Sequence, residues 1–251
     1  MPMKRFWGRV GALVIAGGTG VSLAACAHDD STLFVFDVLA GTVSGTTCTF
    51  TADPTQPFIS SGLLDAELTN EYEATFLVAN QMVTQADPTI PQTESAFITI
   101  NHANVRITNP DGSAIRSYST VTSASVFPAS GTTPSFVPAT VPIIDQQALT
   151  MIAGIGGGSL VRVETFVKFF GKSTGGTSVE SNEFQFPVDI CAGCLIAFPA
   201  AEDDPAATAQ PNCNNATAAS SGTSSVPTPC RVGQDAPVDC AECKSANAAC
   251  R

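Results

Sequence analysis

The chain has 251 residues, 11 basic and 22 acidic, for a formal charge of −11. That balance argues against nucleic acid, whose phosphates are gripped by Lys and Arg, and against an electrostatic hold on anionic lipid. Charged residues are only 13% of the chain, while Ser, Thr, Ala and Val abound, which suits a β-rich exported protein.

The N-terminus reads as a targeting segment. Lys4, Arg5 and Arg9 make a basic start, and Val10 to Leu23 is an uncharged run of mostly apolar or small residues. At fourteen residues it is shorter than the roughly 20 needed to span a bilayer, and it fits the order of a secretory signal. The run ends Leu23-Ala24-Ala25-Cys26. This resembles the lipobox of bacterial lipoproteins, in which the cysteine is acylated and becomes the first mature residue. Residues 1–25 are therefore expected to be a lipoprotein signal peptide, and Cys26 the lipidation site. The partner this implies is the membrane, reached through lipid on Cys26. Ala27 follows instead of Asp, which points to the outer membrane. A chain cut there keeps 8 basic and 22 acidic residues, a formal charge of −14.

Nine cysteines are present. Taking Cys26 for lipid leaves Cys48, Cys191, Cys194, Cys213, Cys230, Cys240, Cys243 and Cys250. In an oxidising compartment these eight are expected to form four disulfides, though eight cysteines allow 105 connectivities. Cys48 stands far from the rest, so it must reach residues 191 to 250 or another chain.

Residues 26–32 read as a lipidated tether, 33–198 as a β-domain and 199–251 as a cysteine-rich tail. Leu33-Phe34-Val35-Phe36 and Thr47 to Thr51 are short strand signals. In YEATFLVAN, Tyr72, Ala74, Phe76 and Val78 share a face; Ala103, Val105 and Ile107 do so in NHANVRIT. The Ser/Thr/Pro-rich stretch 117–142 reads as loops joining short edge strands. Asp145 to Ile152 allows one or two helical turns. Val161, Val163, Val167 and Phe169 alternate with Arg162, Glu164 and Lys168, and Phe184, Phe186, Val188 and Ile190 with Glu183, Gln185 and Asp189. Such period-2 patterns mean half-buried strands. GKSTGGTS between them reads as a hairpin link, and Pro187 predicts an edge or a bulge. Eight or nine strands in all predict an all-β chain, an Ig-like antiparallel β-sandwich. Residues 199–251 contain no Leu, Ile, Met, Phe, Tyr or Trp, so they cannot build a core alone and are expected to be a loop-dominated, disulfide-rich tail.

Motifs with chemistry are few. Gly171-Lys172-Ser173-Thr174 lacks the upstream glycine of a phosphate loop, since position 166 is Phe, and precedes a strand. Gly154 to Gly158 reads as a turn. Cys191-Ala-Gly-Cys194 and Cys240-Ala-Glu-Cys243 would suggest zinc in a cytosolic protein but read as bridges in an exported one. A reactive dithiol usually sits at a helix N-terminus, whereas Cys191 follows a strand. His28 and His102 are the only histidines, and no Gly-x-Ser-x-Gly elbow is present. Asp53, Asp65 and Glu67, and Glu202, Asp203 and Asp204, lack calcium-loop spacing and read as solvated acids. No catalytic residue, metal ligand or cofactor is therefore assigned. The only Trp lies in the signal and only two Tyr are present, which lowers a carbohydrate-binding reading.

Three blocks, 48–82, 171–194 and 230–243, are similar to an uncharacterised family of myxobacterial-type cell-envelope lipoproteins. The resemblance implies a lipid-anchored, disulfide-bearing envelope protein and brings no activity with it. The expected role is structural or binding and not enzymatic. The alternatives are a zinc or redox protein using the CxxC pairs, or a matrix or carbohydrate binder.

Overall fold

Alternating apolar side chains give most of the secondary structure. The computed structural model describes residues 32–45, 47–84, 94–155, 159–208, 210–215, 226 and 228–246. Residues 1–31, with Cys26 and most of the tether, lie outside them, as does Cys250. The elements are β1 (Leu33–Val38), β2 (Thr42–Ser44), β3 (Thr47–Thr49), β4 (Gly62–Asp65), β5 (Tyr72–Asn80), β6 (Ile98–Thr108), β7 (Ala114–Val126), β8 (Ser135–Ile144), α1 (Gln146–Met151), β9 (Val161–Ser173), β10 (Ser178–Glu180), β11 (Phe184–Cys191), β12 (Ile196–Ala197), β13 (Val238–Asp239) and α2 (Cys240–Ala246).

The chain is mostly β and is built from several sheets. One has the order β1-β5-β8; a six-stranded one runs β4-β11-β9-β6-β7, with β10 also paired to β9. Most ladders are antiparallel, but β4–β11 and β12–β13 are parallel, which the hairpin-based reading did not foresee. Buried side chains from both larger sheets share one core, including Phe76 and Val78 of β5, Ile100 and Val105 of β6, Phe169 of β9 and Phe186 of β11. Edge-to-face rings fix part of it: Phe76 meets Phe169 at 5.4 Å and Phe184 at 6.0 Å between centroids.

Two readings change. The stretch 117–142 is not loops with short strands but most of β7 and β8, of 13 and 10 residues. Its Ser and Thr fill the exposed face of an edge strand, and their β-branched neighbours suit the pleat. Pro138 and Pro142 are tolerated because β8 is also an edge. Conversely, Pro187 lies in β11, inside the sheet. The ladder to β4 begins only at Val188, so at Pro187 the strand has a partner on one side, Glu164 of β9. The helical turn after Asp145 is α1, whose cap is the Asp145 carboxylate accepting from Ala148 N.

Candidate functional site

After Pro199 the chain has too little apolar surface to hold itself, and polar contacts with the strands replace it. Residues 233–235 run beside β4, the edge of the six-stranded sheet. Asp65 N donates to Gly233 O and Asp235 N to Leu63 O, each at 2.9 Å. Leu63 N donates to the Asp235 carboxylate at 2.9 Å. An open edge is thereby covered. Asp235 takes φ +58, a left-handed conformation that Asp tolerates better than most residues.

The same segment roofs a cleft of about 350 Å³. Val38, Leu39, Val43, Phe50 and Ile59 supply apolar wall, and Tyr72, Glu73, Arg231 and Asp235 supply polar groups. The Tyr72 hydroxyl, on a fully buried side chain, donates to Asp235, with oxygen distances of 2.9 and 2.8 Å. Burial, then the neighbouring Asp235 charge, pushes the Tyr72 pKa far up. Asp235 is exposed as a residue, yet desolvation of its carboxyl dominates and raises its pKa despite the Leu63 and Tyr72 donors. Arg231 donates to Glu73 O and pairs with the Glu73 carboxylate at 3.1 Å. Cys48 and Cys230 are bridged across 182 residues, and both border this region. Gly41 must be glycine there: a Cβ would lie 2.5 Å from Cys230 Sγ and 2.7 Å from Cys48 Sγ.

The other cysteines fall into two groups. Cys191 is bonded to Cys194, and Cys213 to Cys240. Cys243 is also disulfide-bonded. Cys240 is thus joined to Cys213 and Cys191 to its own neighbour, so the two CxxC units do not assemble one four-sulfur set. Among the described residues, a carboxylate joins each sulfur pair: Asp65 with Cys191 and Cys194, and Glu202 with Cys213 and Cys240. Asp65 and Glu202 are 0% and 3% exposed, which corrects the reading of both as solvated acids. Asp65 accepts from Gly193 N at 2.7 Å, Leu195 N at 2.8 Å and Glu67 N at 3.1 Å. Three backbone donors satisfy this buried carboxyl group. Glu202 is held above the usual carboxylate range by burial, with a hydrogen bond to Asp239 second. Cys240 Sγ lies 3.1 Å from its carboxylate. Asp53 is exposed and only turns its own loop, through Thr55. His102 lies in β6 and stacks on Phe170 at 4.8 Å.

Sequence reasoning missed Asp235, Arg231 and Tyr72 as a group. Positions 72 and 235 are 163 residues apart, and no short-range pattern joins them. A signal was present in Asp235 itself, an acid in a tail with few other means of attachment.

No protein-family model matches the sequence, and no curated protein does. Among solved structures, the solution structure of a putative late embryogenesis abundant protein matches at 9% identity, over 53% of this chain and 71% of that chain, with a TM-score of 0.26.

Proposed function

We propose a lipid-anchored outer-membrane or cell-envelope protein, built as an Ig-like β-sandwich, that binds a small ligand or peptide side group in the cleft beneath residues 228–236. The cleft's role is binding, not turnover. The observation that carries it is the cleft: about 350 Å³, walled mainly by apolar side chains, with the hydroxyl, carboxyl and guanidinium groups of Tyr72, Asp235 and Arg231 at one side. That is the usual composition of a small-molecule site. A ligand with an apolar body and a hydrogen-bond-donating end suits it. The anchor rests on Lys4, Arg5 and Arg9, the apolar run and Leu23-Ala24-Ala25-Cys26, and on the resemblance of blocks 48–82, 171–194 and 230–243 to envelope lipoproteins. The sandwich rests on the core shared by the two larger sheets.

The test uses the full chain expressed in a lipoprotein-processing bacterium. Wild type is expected in the membrane fraction, with an intact mass for 26–251 plus acyl groups, and Cys26→Ser in the soluble fraction. The extracted protein is expected to enhance the fluorescence of N-phenyl-1-naphthylamine at one site, and Thr228→Phe, which fills the cleft rim, to abolish this. Membrane retention of Cys26→Ser would refute the anchor, and unchanged dye binding by Thr228→Phe would refute the cleft.

A further inference from the structure

The parallel ladder between β4 and β11 ends on a rung that sets Asp65 opposite Cys191. The chain then turns through Ala192 and Gly193, and Cys194 comes back to bond Cys191. The Asp65 carboxylate fills the inside of this turn, held by the Gly193, Leu195 and Glu67 N–H groups. One of its oxygens and both sulfurs lie within 4.8 Å of one another. The two sulfurs differ in access. Cys191 is 1% exposed, whereas Cys194 is exposed and forms part of the wall of a groove of about 540 Å³. Ile59, Leu63 and Leu160 line the same groove, and Leu160 is 63% exposed, an apolar surface beside an open sulfur.

The bridge also differs from the other two with both sulfurs described. It spans 3 residues of sequence, against 182 for Cys48–Cys230 and 27 for Cys213–Cys240. So short a loop removes the least entropy from the unfolded chain. Cys213 and Cys240 are both buried, at 2% and 0%. Access decides which sulfur is attacked, and the other sulfur of the bridge is then the one that leaves.

We propose that Cys191–Cys194 is a thiol–disulfide exchange site for cysteine-containing peptide segments that lie in the Leu160 groove. This inference is independent of the cleft. A substrate thiol loses its proton to solvent, and the thiolate attacks Cys194 Sγ. The bond to Cys191 breaks, the electron pair stays on Cys191 Sγ, and that sulfur takes up a proton. A second substrate thiol, likewise deprotonated, attacks the substrate sulfur of the mixed disulfide and releases Cys194, which is protonated in turn. The substrate leaves as a disulfide, two electrons having passed to the protein. An external disulfide reoxidises Cys191 and Cys194 by the same steps reversed. Asp65 is a positioning residue: it holds the turn through its three backbone donors, and its carboxylate favours the protonated form of Cys191 once that sulfur has left, so that the mixed disulfide on Cys194 recloses slowly and a second substrate thiol can reach it.

The test incubates the oxidised full chain with reduced glutathione, quenches with N-ethylmaleimide and maps labelled cysteines by peptide mass. Cys191 and Cys194 are expected to open about tenfold or more faster than Cys213–Cys240 and Cys48–Cys230, with a glutathione adduct on Cys194. With oxidised glutathione as the reagent in place of reduced, Cys191→Ser is expected to exchange one glutathione onto its free Cys194, release the other half as glutathione thiol, and hold the adduct stably, and Cys194→Ser to form none. Asp65→Asn should move the pH midpoint for reclosure of the mixed disulfide downwards; a purely structural role would scale the rate equally at every pH. Leu160→Ser should leave glutathione exchange unchanged and slow exchange with an apolar-flanked cysteine peptide. Opening no faster than Cys213–Cys240, opening only in denaturant, or an adduct on Cys191 would overturn the proposal. If Asp65→Asn does not fold, the adduct on Cys191→Ser decides alone.

Discussion

Phe76, Phe169 and Phe186 sit at 0 to 1% exposure among aliphatic side chains from both larger sheets. After Pro199, the deeply buried side chains among the described residues are instead Glu202, Cys213, Gln234, Val238, Asp239, Cys240 and Cys243. The strands are held by apolar burial with their backbone groups satisfied in ladders. The C-terminal segment is held by sulfur bridges, buried carboxyls and side-chain bonds to strand backbone. A segment without a core of its own can still be ordered if each polar group it buries finds a partner. Such a segment depends on the strands, and the strands depend on it much less.

The largest expected effect lies in the strands. Phe76→Ala should cost about 3–5 kcal/mol, because ring contacts are lost and a cavity remains; the guanidinium midpoint measures it. Cys48→Ser with Cys230→Ser should cost about 2–4 kcal/mol, and would sharpen the contrast if it loosened residues 228–239 before the sheets. Tyr72→Phe removes the donor to a desolvated carboxyl and should cost about 1–3 kcal/mol, read from urea midpoints.

A pH series separates the regions by sign. Asp235 and Glu202 are raised, chiefly by desolvation, so the folded state holds their protons more tightly than the unfolded chain. Their contribution is full below the usual carboxylate range near about pH 4 and is lost as pH rises through the raised values. Asp189 in β11 is lowered by its Arg162 hydrogen bonds. Its contribution is present above the usual range and is lost as pH falls through the lowered value. Asp235→Asn with Glu202→Gln should therefore flatten the loss of stability from about pH 4 towards neutrality, while Arg162→Ala should weaken the protein only above the acid range. Smallest of all, Arg106→Ala breaks an exposed pair with Glu183 and should cost about 0–1 kcal/mol.

How much of this was legible follows from range. In β9 and β11 the alternation Val163, Val167, Phe169 and Phe186, Val188, Ile190 marks buried positions directly, because a strand with one wet face writes its register into the sequence. β5 is buried on both faces from Ala74 to Asn80, so period 2 told only half of it. β2, β3 and β10 have 3 residues each, too few for a period, and the described residues of 33–198 hold twelve strands where eight or nine were expected. The Ser and Thr of 117–142 imitate a loop because an exposed strand face has the same composition. Asp65 could not be told from a solvated acid. Its burial follows from the parallel rung with Cys191, across 126 residues of sequence. The resemblance to envelope lipoproteins rests on sequence blocks, and the cleft and the sulfur–carboxylate groups add geometry that the blocks do not contain.

The central claim is that the C-terminal segment is attached to the strands at β4 and clamped there by Cys48–Cys230. Native-state hydrogen exchange on wild type and on the Cys48→Ser, Cys230→Ser double variant tests it most directly. The account predicts that Leu63 and Asp235 amides lose protection in the variant, while Val163 and Val167 in β9 keep theirs relative to global unfolding. Equal loss at all four positions, or unchanged protection at Leu63 and Asp235, would contradict it.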